Sequence, residues 1–261
     1  MMPTKRELRT FNGLRKVIAT LRAPGGCAWD RVQTHESLRP FLLEEASETL
    51  EALDGGDPAQ LCEELGDLLL EVLLHVQIAE EAGEFALADV VYSVSDKLVR
   101  RHPHVFADAT AETPEAVVEQ WEELKREERG ERSALSGIPA TLPALARAQA
   151  IQRRASRAGF AWESAEQAWE ALEEELRELR EAATPEEQRD ELGDALFALA
   201  GLARWLDVDA EEALRSTCGR FQTLFQRLEN TVREKGRDLT QMTIAEKLAL
   251  WEQAKETPLS P

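Results

Sequence analysis

The chain has 261 residues, 31% of them charged, 43% hydrophobic and 6% aromatic, with a formal net charge of -19. That acidity excludes extended nucleic-acid binding, which needs stripes of Lys and Arg, and no apolar run approaches the roughly 20 residues of a membrane span. Cys27, Cys62 and Cys218 are odd in number and widely spaced, and no leader-like apolar segment follows MMPTKRELRT, so the expected setting is a reducing cytoplasm.

Leu and Ala carry most apolar positions, and both favour helix over strand. Helical periodicity predicts helices over 5–22, 37–53, 58–82, 86–101 and 114–129. The breaks between them are PGG at 24–26, DGGDP at 54–58, Gly83 and HPH at 102–104, and the last helix stops at Gly130. Asp57-Pro58 reads as an N-cap followed by a first-turn proline. After GERSALSGIPATLP at 130–143 the pattern resumes over 144–158, 164–183, 185–206, 210–235 and 244–255. The expected fold is all-α: two tandem homologous helical-bundle units of four to five helices each, over 1–130 and 144–261, joined by a linker at 131–143.

Repetition of special residues argues for the duplication. LEEASETLEAL at 43–53 and CEELGDLLLEV at 62–72 are echoed by EEELRELREAA at 173–183 and RDELGDALFAL at 189–199. Each half therefore carries Glu-Glu-x-x-Glu and then Glu-x-x-Asp. Lys97 aligns with Arg220, and WEELK at 121–125 with WEQAK at 251–255. The offsets are 130, 127, 123 and 130, near enough to constant that loop length accounts for the drift.

Residues three apart on a helix point to one side, so Glu45 with Glu48, and Glu64 with Asp67, form two pairs of carboxylates. A hairpin turning at DGGDP merges the pairs. Glu175, Glu178, Glu191 and Asp194 repeat the square in the second half. A single Glu-x-x-Glu in so acidic a chain is ordinarily a solvated face, but here the Glu-x-x-Asp pairs sit in otherwise apolar helices, twice over. Four oxygen ligands suit Mg2+, or Mn2+, rather than Zn2+. Lys97, Arg101 and Lys125 in the first half, and Arg220 and Lys255 in the second, are candidate phosphate donors, although each alone reads as an exposed base. Trp121 and Trp251 could stack on a base, or simply pack. His75 reads as a core or metal-supporting histidine, and His102 and His104 as turn residues. No phosphate-binding glycine loop or nucleophile elbow occurs.

These motifs, together with GCAWDRVQTHESLRPFLLEEASE at 26–48, KLVRRHPHVF at 97–106 and LPALARAQAIQRRASRAGFAWES at 142–164, resemble the MazG-type nucleoside triphosphate pyrophosphohydrolases, part of an all-α group that includes dimeric dUTPases. The resemblance spans nearly the whole chain. It implies hydrolysis of nucleoside triphosphates to monophosphate and pyrophosphate, magnesium on the four acids, a homodimer, and broad base tolerance suited to clearing damaged nucleotides. It also implies nucleotide contacts near 171–175, 187–190, 220–224 and 251, which include Glu174, Arg189, Arg220 and Trp251. Glu44 and Glu174, which lead the two motifs, are candidates to orient or deprotonate water, or are structural. One departure is Leu224, with Cys218 nearby, where the family pattern has Arg and Asn; Lys97 and Arg101 keep the basic pair in the first half. Two other readings stay open: a narrow dUTP or dCTP pyrophosphatase, and an acidic helical metal-binding or interaction protein without turnover.

Overall fold

The computed structural model describes residues 3–256. The described residues are all-helical, with eleven α-helices, three short 3-10 turns and no strand. They divide into two compact units between Leu124 and Lys125. The last residues of the expected second unit, 257–261, lie outside the described residues.

In the first unit, α1 (Phe11–Arg22), α2 (Arg39–Gly55), α3 (Pro58–Ala82) and α4 (Leu87–Arg101) form the bundle and α5 (Pro103–Phe106) follows, while α6 (Pro114–Arg129) runs across the division at 124/125. The helix expected from residue 5 starts later, because Thr10 is extended and its side chain accepts from the Gly13 amide, leaving Glu7–Arg9 as a separate 3-10 turn. The HPH segment is more than a turn: Pro103 opens the four-residue α5, its fixed φ suiting a first helical position. His102 caps α4 and donates from Nδ1 to the Leu98 carbonyl, and His104 bonds Gln120.

Ile18 of α1, Leu38 before α2, and Leu73 and Leu74 of α3 make the core, with Leu14, Phe41, Leu70, Ile78 and Leu87 around it. Polar ties hold the same elements. Arg15 pairs with Glu80 at 3.0 Å, and Glu80 also accepts from the Leu87 amide at the start of α4. The Arg22 side chain is 5% exposed, grips Glu81 at 2.8 Å and donates to the carbonyls of Asp30 and Gln33, so it clasps the connection between α1 and α2 onto α3.

The hairpin between α2 and α3 turns as its sequence dictates. Gly56 caps α2 at φ +69°, a left-handed conformation natural to glycine, and its amide donates to the Ala52 carbonyl. Asp57 accepts from the Ala59 amide at 2.8 Å and Pro58 begins α3. Thr49 and Ala52, both buried, let α2 and α3 run close, and Thr49 Oγ1 donates to the Glu45 carbonyl of its own helix.

The second unit comprises α7 (Ala144–Arg157), α8 (Ala165–Glu181), α9 (Pro185–Trp205), α10 (Ala210–Glu234) and α11 (Ile244–Glu256). Thr184 and Glu187 form a reciprocal capping box that starts α9 directly after α8. α8 packs along α9 over Ala168, Leu172 and Leu202, and a second cluster of Leu228, Val232 and Met242 joins α10 to α11. Gln149, 2% exposed, donates to the Val208 carbonyl and accepts from the Ala210 amide, tying α7 to the turn between α9 and α10.

Candidate functional site

Each helical hairpin gathers its acids at one place. Glu45 and Glu48 of α2 meet Glu64 of α3, each offering an oxygen within 4.8 Å of the others, and Glu175 and Glu178 of α8 meet Glu191 of α9 in the same way. Asp67 and Asp194 stand outside these tight trios, yet each is the strongest neighbouring charge acting on Glu45 and Glu175 respectively. Three of the four acids expected at each site thus come together, with the aspartate acting on them as a neighbouring charge. The electrostatics are those of crowded acids. Burial, then Asp67, Glu48, Glu44 and Glu64, push the Glu45 carboxyl above the usual carboxylate range. Burial, then Asp194, Glu178, Glu191 and Glu174, do the same to Glu175. Glu64 and Glu191 are likewise raised, by burial and then by acids alone, Glu48 being the first of these for Glu64 and Glu178 for Glu191. Like charges so held repel unless a cation neutralises them, and an all-oxygen donor set fits a hard divalent ion.

The remaining candidates are not members of the acid trios. Lys97 is exposed and Arg101 half-buried on α4, which packs on α3, while Trp121 and Lys125 are half-buried on α6. Trp121 lies edge-on to His102 with ring centroids 5.0 Å apart. Arg220 on α10 donates to Ser216 Oγ at 2.9 Å and Thr217 Oγ1 at 2.8 Å, and Lys255 on α11 pairs with Glu252 at 2.7 Å. Trp251 packs against Phe221 at 5.0 Å and joins the cluster beneath α10. Arg189 pairs with Asp190 at 3.3 Å. Glu44 and Glu174 are exposed at the rims of the squares.

Three features escaped the sequence reading. Arg177 reaches Glu181 at 3.2 Å, Glu174 at 3.4 Å and Glu178 at 3.7 Å, lodging a cation beside the second square; its place within ELREL was the available signal. Glu71 is 6% exposed with Oε2 sealed from solvent and unpartnered. Its signal in the sequence is an acid at the fourth position after Asp67, inside an apolar run. His75 is joined through Nδ1 to Nδ1 of His35 at 2.7 Å, with the rings stacked, a pairing that no local pattern announces.

Two family models match this chain, and each takes in one of the helical hairpins. Residues 33–106 match the MazG nucleotide pyrophosphohydrolase domain, and residues 143–217 match the phosphoribosyl-ATP pyrophosphohydrolase family. The nucleoside triphosphate pyrophosphohydrolase/pyrophosphatase MazG of Thermotoga maritima is 43% identical over 94% of this chain and 95% of its own length. The chain belongs to the MazG family. A nucleoside triphosphate pyrophosphohydrolase of Escherichia coli K12 is 40% identical over 95% of this chain and 98% of its own, so the similarity to MazG proteins takes in both units. A Mycobacterium tuberculosis protein of the same name is 43% identical over 50% of this chain and 41% of its own. MazG membership makes the chain a hydrolase of acid anhydrides. No described helix is long and apolar enough to cross a membrane.

Proposed function

We propose that this MazG protein hydrolyses nucleoside triphosphates to monophosphates and pyrophosphate with magnesium, tolerates many bases, and clears noncanonical nucleotides in the cytoplasm. The observation that carries this reading is the duplicated acid trio, oxygens within 4.8 Å, whose neighbouring charges repel. Glu45, Glu48, Glu64 and Asp67 would hold the divalent ions of the first site, and Glu175, Glu178, Glu191 and Asp194 those of the second. When bound, such ions supply Lewis-acid stabilisation of charge building at the α-phosphorus. Glu44 and Glu174, exposed beside the squares, orient the attacking water and take its proton at a carboxylate oxygen. Lys97, Arg101 and Lys125, and in the second unit Arg189, Arg220 and Lys255, donate to the outer phosphates, with Arg220 exchanging its hydroxyl partners for phosphate oxygens. Trp121 and Trp251, their rings fixed by packing, offer a surface to the base.

A homodimer is part of the proposal. Leu65, Leu69 and Val72 on α3 are exposed, and so are Leu192, Leu196 and Leu199 at the corresponding positions of α9, a repeated apolar stripe that suits association with a second copy. The three free cysteines suit the reducing cytoplasm.

Pyrophosphate release from a panel of canonical and modified nucleoside triphosphates, with and without magnesium, tests the reading. Release from several bases that vanishes on chelation is expected. One dominant substrate such as dUTP or dCTP would replace broad tolerance with a narrow enzyme, and no release from any would contradict the activity.

A further inference from the structure

The two acidic sites share four carboxylates but differ in what surrounds them. Aligning the ELGD segments places Glu71 of α3 against Ala198 of α9, and aligning the EExxE segments places Ser47 of α2 against Arg177 of α8. Glu71 follows Asp67 by one helical turn and Glu64 by two, so it prolongs the acid stripe along α3. It is 6% exposed, and its sealed Oε2 has no hydrogen-bond partner. Buried polar oxygens are nearly always satisfied, so such an orphan calls for a ligand. After burial, the charge acting on Glu71 is that of Glu45, a member of the acid trio, and both raise its carboxyl above the usual range. The second unit has the opposite arrangement. Its Arg177 stands 3.7 Å from Glu178, whereas Ser47 of the first unit donates to the Leu43 carbonyl and brings no charge.

We infer that Glu71 is a fifth cation-holding carboxylate of the first unit, so that the first site holds divalent ions more tightly than the second. This rests on the reading of the acid squares as metal sites. The second site, with Ala198 in place of the fifth acid and Arg177 already neutralising part of its charge, has less to offer a cation.

The test uses the full chain and Mn2+ alone as probe, with binding followed by electron paramagnetic resonance of the free ion. The second site is silenced with Glu175→Gln and Asp194→Asn, and Glu71→Gln or Glu71→Ala is added in that background, with folding checked by circular dichroism. Glu71→Ala installs the residue the second unit carries and a strong helix former, so it is informative even where Glu71→Gln fails to fold. A rise of tenfold or more in the Mn2+ dissociation constant is expected for either. A constant within twofold of the parent in a folded Glu71 variant overturns the inference. Glu48→Gln in the same background separates the two readings: if it weakens binding while the Glu71 variants do not, only the fifth ligand is lost; if neither weakens it, the metal site itself falls.

Discussion

Glu45 and Glu175 occupy like positions in their units, each raised by burial and by four acidic neighbours. Replacing Glu175 by Gln in the metal-free protein removes repulsion with Glu178 and is expected to stabilise the fold by about 0.5 kcal/mol, the scale of like-charge pairs on one helix face. The same change should abolish the stabilisation that added magnesium gives the second unit, and thermal unfolding with and without the ion reads both effects. The pH dependence follows from the raised carboxyls. The folded state holds protons on Glu45, Glu64, Glu175 and Glu191 that the unfolded state has released, so their contribution is full below the ordinary carboxylate range and is lost as pH rises through the raised values. Unfolding without metal, compared with a variant carrying Gln at all four positions, should show the wild type losing stability relative to the variant as pH rises. A difference of opposite sign would mean that the squares are already neutralised. At this scale the sequence announced the eight acids, because spacing on a helix fixes direction. It could not weigh Glu71 or Arg177, whose meaning depends on burial and on which long side chain bends toward which acid.

The hairpins are the elements that make a site out of separated motifs. Gly66 and Gly193, in the middle of α3 and α9, have nothing within 4 Å of where a Cβ would stand. Close packing therefore does not explain them, and a mid-helix glycine costs about 1 kcal/mol relative to alanine. Gly66→Ala and Gly193→Ala should each stabilise the metal-free protein by about that amount, with a loss of activity only where the open space serves the nucleotide or a second copy; melting curves and turnover together decide. Arg22 is the counterpart in the framework. Arg22→Ala removes the guanidinium that Glu81 shares with Gln77 and the side-chain donor to the Asp30 and Gln33 carbonyls, and should cost about 1.5–3 kcal/mol, the range for bonds to charged groups, measurable by urea unfolding. Nearly every element was legible from periodicity and breakers, as the Asp57-Pro58 start of α3 illustrates. The split at Thr10 and the short α5 were not, since a local cap and a proline's fixed φ override an apolar rhythm that runs through them.

For the whole molecule, one chain carries two helical hairpins with like acid trios in different surroundings. The first unit has Lys97 and Arg101 on α4 and adds the buried Glu71 to its acids, while the second has Leu224 where the basic pattern would place an Arg and lodges Arg177 beside its acids. The all-α, two-unit architecture could be read in the chain because four motifs recur in order on either side of a Gly- and Pro-bearing break. The inequality of the copies could be read only in part, since Leu224 is a sequence feature but the environment of Glu71 is a product of packing. The central claim is that both squares are pyrophosphohydrolase sites. Its most direct test is magnesium-dependent pyrophosphate release by four proteins: wild type, Glu45→Gln with Asp67→Asn, Glu175→Gln with Asp194→Asn, and all four changes together. The account predicts that each half-site variant loses part of the wild-type rate and that the combined variant, folded by circular dichroism, loses all of it; undiminished release by the combined variant would contradict it.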